Sequence, residues 1–263
     1  MVDFQLCSDL HIEMQGGLNA PASAYPVPKA PLLILAGDLY PAGAPEFTEI
    51  LRRATEGFKL ALFVPGNHEY YMSIGSMGAL ESMVAEKANS VSNVYCLNKQ
   101  QVDIANYSFV GATMWTNVPK FKWEEAVKEF NDYRNILKSV NGSPLRPQDV
   151  CAIHRGHAKH LRAGVAAAKR SKKKGVVLVT HHAPDISLSA ETSSRPEGLF
   201  PYYFASDMGD LCRDSFVKVW CHGHTHESRC LRLEPTGPVF ACNSKGYPGE
   251  VTNYTDASVV RLS

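Results

Sequence analysis

Short apolar runs recur along the chain: Phe4 to Cys7, Leu32 to Ala36, Leu60 to Val64, Tyr107 to Trp115, Val176 to Thr180, Phe216 to Cys221, Val239 to Cys242 and Ser258 to Leu262. They are rich in branched residues and bounded by Gly, Pro or Asn, which predicts strands. Between them the spacing changes. Phe47, Ile50, Leu51 and Ala54 recur at helical period inside Pro45 to Phe58, and Met77, Leu80, Met83 and Val84 do so inside Ile74 to Ala88. Both stripes read as core-facing sides of helices. Trp123 to Lys138 and Gln148 to Lys169 predict further helices, while Gly16 to Pro31 and Pro184 to Pro201 predict long loops of the kind that border pockets. Strand and helix alternate in the first half, which predicts a parallel sheet built by right-handed crossovers. The last third reads as strands and turns. No repeat or linker divides the chain, so an α/β domain over residues 1–263 is expected.

The residues that follow the strands carry the chemistry. Asp9-Leu10-His11, Gly37-Asp38, Gly66-Asn67-His68-Glu69, His181-His182 and Gly223-His224-Thr225-His226 each come directly after an apolar run. Two carboxylates, one carboxamide and several imidazoles suit a pair of divalent ions such as Mn²⁺, Fe, Zn²⁺, Co²⁺ or Ni²⁺. Two ions about 3.5–4 Å apart are a device for attacking phosphoesters. If strand geometry persists past the apolar runs, its period of two places Asp9 and His11 on one side, and His224 with His226 likewise.

Composition narrows the partners. The formal charge is +1, which argues against a broad nucleic-acid face but leaves room for a small phosphoester, a nucleotide included. The basic run Lys169 to Lys174 reads as a solvated helix end. Seven cysteines without a C-x-x-C pair read as reduced, mostly buried thiols of a cytoplasmic protein. Met1 leads straight into the first strand, so no leader is expected, and no stretch reaches the roughly 18 apolar residues of a membrane span. Oligomeric state is left open. His154, His157 and His160 fall at three-residue steps with no acidic neighbour in sequence, and read as a solvated or partly packed helix face. His182 and His222 read as supports for the histidines beside them.

In this order the motifs resemble those of the calcineurin-like metallophosphoesterase family, from residue 9 to 226. The resemblance implies a four-layer αββα fold, two mixed sheets packed face to face with helices outside. It implies that Asp9, His11 and His226 hold one metal, that Asn67, His181 and His224 hold the second, and that Asp38 bridges them with a hydroxide. His68 would then stand beside the substrate as a proton donor. The implied activity is hydrolysis of a phosphomonoester or phosphodiester by attack of the bridging hydroxide. The alternatives are a nucleotide or cyclic-nucleotide phosphodiesterase, a nuclease, or a binding module without catalysis; the complete ligand set speaks against the last. Pro65 precedes Gly66, and Leu39-Tyr40-Pro41-Ala42-Gly43 follows Asp38, so the clamping arginines of the protein phosphatases in this family are missing there. Tyr40 stands two residues after Asp38, not three as in purple acid phosphatases. The motif set looks more similar to small bacterial members. Arg134 and Lys245 are candidate phosphate contacts on chemical grounds, and Trp115, Tyr70, Tyr71 and Phe204 are candidates for pocket wall or core. Glu69 adjoins His68, but adjacency leaves the carboxylate that orients His68 open.

Overall fold

The computed structural model describes residues 1–138, 142–189 and 200–263. Every predicted apolar run is a strand: β1 Val2–Cys7, β2 Leu32–Leu35, β3 Leu60–Phe63, β6 Tyr107–Ala112, β7 Gly175–Thr180, β8 Val217–His222, β10 Val239–Asn243 and β11 Val259–Leu262. Three more were not predicted: β4 Val94–Cys96, β5 Gln100–Ile104 and β9 Ser228–Leu231. They are short or polar, and they lie at or next to sheet edges, where half the backbone or one face meets water.

The strands form two mixed sheets, in the orders β11-β1-β2-β3-β4 and β5-β6-β7-β8-β10-β9. Within the first, β1 to β4 run parallel and β11 is antiparallel. Within the second, β6, β7, β8 and β10 run parallel, flanked by antiparallel β5 and β9. Helix α1 (Phe47–Ala54) and α2 (Met77–Asn89) follow β2 and β3; α5 (Pro147–Arg170) precedes β7. Shorter helices are α3 Trp123–Glu129, α4 Asp132–Asn135, α6 Phe200–Phe204 and α7 Gly209–Cys212.

Side-chain alternation sorts the core into three layers. Leu32, Ile34, Leu62 and Val64 meet Phe109, Val177, Val179 and Val219 between the sheets. Their neighbours Leu33, Leu35, Ala61 and Phe63 face Phe47, Ile50, Leu80 and Val84 of α1 and α2. Val110, Leu178 and Trp220 pack with Ala158, Leu161 and Val165 of α5. Both faces of each sheet are thus covered, which is why the parallel strands are continuously apolar rather than alternating. The order helix, sheet, sheet, helix is the expected four-layer architecture.

Register is what prepares the site. Cys7, Leu35 and Phe63 are level across the first sheet, and Val179 and Cys221 across the second. The residues just beyond them therefore emerge on one rim. A bridge between Ser8 and Ser244 closes the rims of the two sheets together.

One expectation changes. Trp123 to Lys138 is not one helix; it breaks at Phe130, whose backbone is extended because its ring turns in against Tyr133 and Tyr203. Of the two readings of the α5 histidines, the packed one holds: His154 and His157 are buried and His160 is half-buried. His154 Nδ1 donates to the Trp115 carbonyl at 2.6 Å, and His157 accepts from Met114 N–H at 3.0 Å and donates to Glu81 at 3.1 Å. Glu81 lies on α2, too far away in sequence to be seen as their acidic partner. Of the loop expected over Pro184 to Pro201, residues 190–199 lie outside the described residues. Phe200 already belongs to α6. Gly16 to Pro31 is a loop of short 3₁₀ turns. Six of the seven cysteines are buried, Cys230 is exposed, and all are free thiols.

Candidate metal centre

The strand period does not operate where the candidate ligands lie. β1 ends at Cys7 and β8 at His222, and Asp9 (φ 52°), His11 (φ 43°), Asp38 (φ 56°), His224 (φ 65°) and His226 (φ 53°) all adopt the left-handed conformation. For side chains with a Cβ this costs on the order of 1 kcal/mol or more at each residue, a strain typical of functional sites. Surrounding hydrogen bonds hold it in place. Asp9 N–H donates to the Gly37 carbonyl at 2.9 Å, His11 N–H to the Asp38 carbonyl at 3.0 Å, and Gly223 N–H to the His181 carbonyl at 2.9 Å. Asp38 accepts from His68 N–H at 2.9 Å, and Asp9 from His224 N–H at 3.0 Å and Ser244 Oγ–H at 2.6 Å. Two glycines make room: a Cβ on Gly66 would overlap Asp38 Oδ1, and one on Gly37 would overlap His181 Nδ1.

The result is three overlapping groups of donor atoms: Asp9, His11 and His226; His11, Asp38 and His68; Asp38, His181 and His224. His11 Nε2 and His226 Nε2 face one another at 3.1 Å. His11 Nδ1–H is directed to Glu13 at 3.2 Å, and His226 Nδ1–H to Glu250 at 2.6 Å. A carboxylate accepts only, so both protons sit on Nδ1 and two Nε2 lone pairs point into the same space. Nearby, His181 donates from Nδ1 to the Ala36 carbonyl at 2.8 Å. Its Nε2 lies 3.0 Å from Asn67 Oδ1, 3.1 Å from His224 Nδ1 and 3.3 Å from Asp38 Oδ2. Converging lone pairs repel unless a cation or a proton lies among them. Oxygen and imidazole donors in two adjacent clusters, sharing Asp38, fit two divalent ions.

The charges report the same demand. Burial opposes charge on every group here; at Asp38, His68 and His181 their mutual attraction outweighs it, whereas at His224 burial and the neighbouring imidazoles win and hold it well below its ordinary value. Asp38 is held well below the ordinary carboxylate range, and His181 is pushed up to about 10. His68 is pushed up to about 9, against its burial, by the Asp38 and Glu13 carboxylates. His182 behind the site goes the other way, to about 3, because it is buried and beside His181.

A cavity of about 220 Å³ opens onto these groups, lined by Asp38, Asn67, His68, His224 and His226 on its floor. Tyr71, Phe130, Tyr203, Phe204 and Tyr247 form its walls, with Glu129 and Asn131 beside them. Tyr71 and Phe204 are thus wall residues, whereas Trp115 and Tyr70 are fully packed core.

A family model described as calcineurin-like phosphoesterase matches residues 4–228. The chain belongs to that family. It is 24% identical over 270 residues to the uncharacterized protein L509 of Acanthamoeba polyphaga mimivirus, covering 97% of this chain and 95% of that one. Among solved structures, a phosphopantetheinyl hydrolase of Mycobacterium tuberculosis superimposes with a TM-score of 0.65 at 20% identity, over 93% of this chain and 89% of that one. A 5′-nucleotidase candidate from Staphylococcus aureus gives 0.50 at 13% identity, over 92% of this chain and 48% of that one. Both likenesses concern the fold.

The structure brings Asp9, His11, Asp38, Asn67, His68, His181, His224 and His226 together. It does not bring the two basic candidates there. Arg134 is exposed, turned to Asn131 Oδ1 at 3.4 Å, and does not line the cavity. Lys245 faces a neighbouring hollow, its ammonium bonded to the Ser23 carbonyl and lying 5.3 Å from the Tyr254 ring centre. His182 and His222 are supports, bonded to the Thr113 and Gly223 carbonyls.

Sequence reasoning missed several carboxylates. Glu13, not Glu69, orients His68: its Oε1 accepts from His68 Nδ1 at 2.8 Å as well as from His11. Its place two residues after His11 was the available signal. Glu69 instead accepts backbone N–H groups of Gly66, Asp38 and Leu39 at 2.6 to 3.0 Å, tying two strand-end loops together. Burial and the Asp38 charge push it up to about 7. Glu250 and Asp132 carry no sequence signal, since each meets its partner only in the fold.

Among the described residues, no helix is long and apolar enough to cross a membrane.

Proposed function

We propose that this chain is a phosphoester hydrolase using two divalent ions, one held by Asp9, His11 and His226, the other by Asn67, His181 and His224, with Asp38 shared. The observation that carries the reading is the 3.1 Å approach of His11 Nε2 to His226 Nε2 while both Nδ1 atoms donate to carboxylates. A bound cation relieves that repulsion at both nitrogens at once, where a proton would serve only one, and a second cluster of the same kind adjoins it. When bound, the ions would supply an activated water near neutral pH and neutralise phosphoryl oxygens.

The protein's own groups divide the remaining work. Asp38 is buried, with Oδ1 fixed by the His68 backbone N–H and Oδ2 lying 3.3 Å from His181 Nε2 and 3.9 Å from His11 Nε2, so this carboxylate would contribute to holding either ion. His68 keeps its Nδ1 proton on Glu13, which turns Nε2 towards the cavity, 3.4 Å from Tyr247 Oη. In its cationic form Nε2–H donates to the leaving oxygen as the ester bond breaks. Tyr247 packs on both His11 and His226, with ring centres 4.4 and 4.6 Å away, and keeps that side of the floor from solvent. The aromatic walls suit a substrate whose leaving group has a flat or apolar surface; a nucleoside is one such group.

The test is to strip the protein of metal, reload it with Mn²⁺, and assay an aryl phosphomonoester and a bis-aryl phosphodiester, with Asp38→Asn as control. Turnover that needs metal and falls at least 10³-fold in Asp38→Asn is expected. Turnover that survives chelation, or full activity in Asp38→Asn, overturns the mechanism. The preferred ester separates phosphatase from phosphodiesterase.

A further inference from the structure

Asp132 belongs to none of the motifs, yet it is buried at the edge of the centre. Its Oδ1 accepts from Tyr71 Oη–H at 2.6 Å and from Asn67 Nδ2–H at 2.9 Å. Asn67 Nδ2 also donates to Tyr71 Oη at 3.1 Å, so the three side chains close a ring of hydrogen bonds. The direction of each bond is forced. A carboxylate has no proton to give, the phenol has one and gives it to Asp132, and the phenol oxygen can then only accept.

A carboxamide has two nearly isosteric orientations, its oxygen and nitrogen exchanged by a half-turn. Only one suits a cation, because the amide oxygen has lone pairs to offer and the amide nitrogen does not. The ring of hydrogen bonds obliges the nitrogen to face Asp132, which leaves Oδ1 facing His181 Nε2 at 3.0 Å. Flipping the amide would set its oxygen against a carboxylate and strand two N–H groups among the imidazoles. We propose that Asp132 is a positioning residue that selects the carbonyl-in orientation of Asn67 and so completes the second ion position. This rests on the two-ion reading above.

The break in the predicted helix gives the assignment its structural basis. Glu129, Phe130 and Asn131 line the cavity, and after the extended backbone at Phe130 the chain re-enters a helix, α4, whose first residue, Asp132, is buried against the centre. The same segment is stitched to the loop after the Asn67 motif by Met72 N–H to the Asn135 carbonyl at 3.2 Å and Gly75 N–H to the Leu137 carbonyl at 3.1 Å. The wall of the cavity and the orientation of a ligand therefore depend on one piece of chain.

The experiment is calorimetric titration of Mn²⁺ into the metal-stripped full chain, comparing wild type, Asp132→Leu and Asp132→Asn, with thermal unfolding of each metal-free protein alongside. The wild type is expected to bind two ions. Asp132→Leu should keep one ion at wild-type affinity and weaken the other about 10- to 100-fold, the usual effect of losing a residue that supports a ligand. Asp132→Asn, which keeps the volume and one carbonyl oxygen, should show a smaller loss confined to the same ion. Wild-type affinity for both ions in either variant overturns the assignment, as does equal weakening of both ions. If Asp132→Leu lacks a cooperative unfolding transition, Asp132→Asn decides by the same criteria. A wild type that binds fewer than two ions overturns the two-ion reading and this inference with it; a two-ion wild type with unchanged variants overturns this inference alone.

Discussion

Removing the ions should leave the protein with an alkaline weakness that the loaded protein lacks. Without metal, the converging acceptors around Asp38 are held by protons on His68 and His181, raised from 6.5 to about 9 and about 10. For a base whose folded pKa lies above its unfolded one, the stabilisation is complete below 6.5 and is lost as pH rises towards the folded value. Between pH 7 and 8.5 one such imidazole gives up about 2 kcal/mol, and two independent ones would give up about 4 kcal/mol. His68 and His181 share Asp38 as counter-charge, so their contributions do not add fully and the loss should fall between those limits. Two other kinds of group lose stability in the same direction across this window, Glu69, pushed up to about 7, and the buried thiols, ordinarily near 9 and raised by burial, so the difference between chelated and loaded protein is what isolates the imidazoles. Urea unfolding of chelated protein at pH 7 and 8.5 measures the effect directly, and a loss of this size should move the midpoint by about 1 M. Mn²⁺-loaded protein should show a much smaller shift, because bound cations supply the positive charge at either pH. Equal midpoints for the chelated protein at the two pH values, or the same shift in loaded and chelated protein, would refute the argument that these imidazoles stand in for missing cations.

Two further substitutions test the site's surroundings. Glu13→Ala removes the shared acceptor of His11 and His68, and should lower kcat by about 10²-fold with KM within about twofold, Glu13→Gln recovering part of the loss through its remaining carbonyl; steady-state kinetics with an unchanged kcat would remove Glu13 from the mechanism. Arg134→Ala should leave kcat/KM within about twofold, since the side chain is exposed and does not line the cavity; a tenfold rise in KM would show that the substrate reaches beyond the aromatic walls.

The chain by itself determined the strands of both sheet centres, because residues buried on two faces must be apolar in unbroken runs. Phe4 to Cys7, Leu32 to Leu35 and Val176 to Thr180 are legible for that reason. The residues that the fold gathers into the candidate metal centre were legible too, since imidazole, carboxylate and carboxamide groups recur directly after those runs. Geometry at the ligands was not. Period-two alternation stops with the strands, and left-handed turns at Asp9, His11, His224 and His226 aim the side chains instead. Those turns depend on hydrogen bonds between loops of different strands, which no local pattern encodes. The same limit hid the helix break at Phe130, decided by a ring that packs against Tyr203 from α6. It also hid the carboxylates that hold the ligands in place. Glu250 meets His226 from 24 positions away and Asp132 meets Asn67 from 65. An isolated acidic residue reads as surface until the fold buries it against a donor, and only tertiary structure decides where that happens.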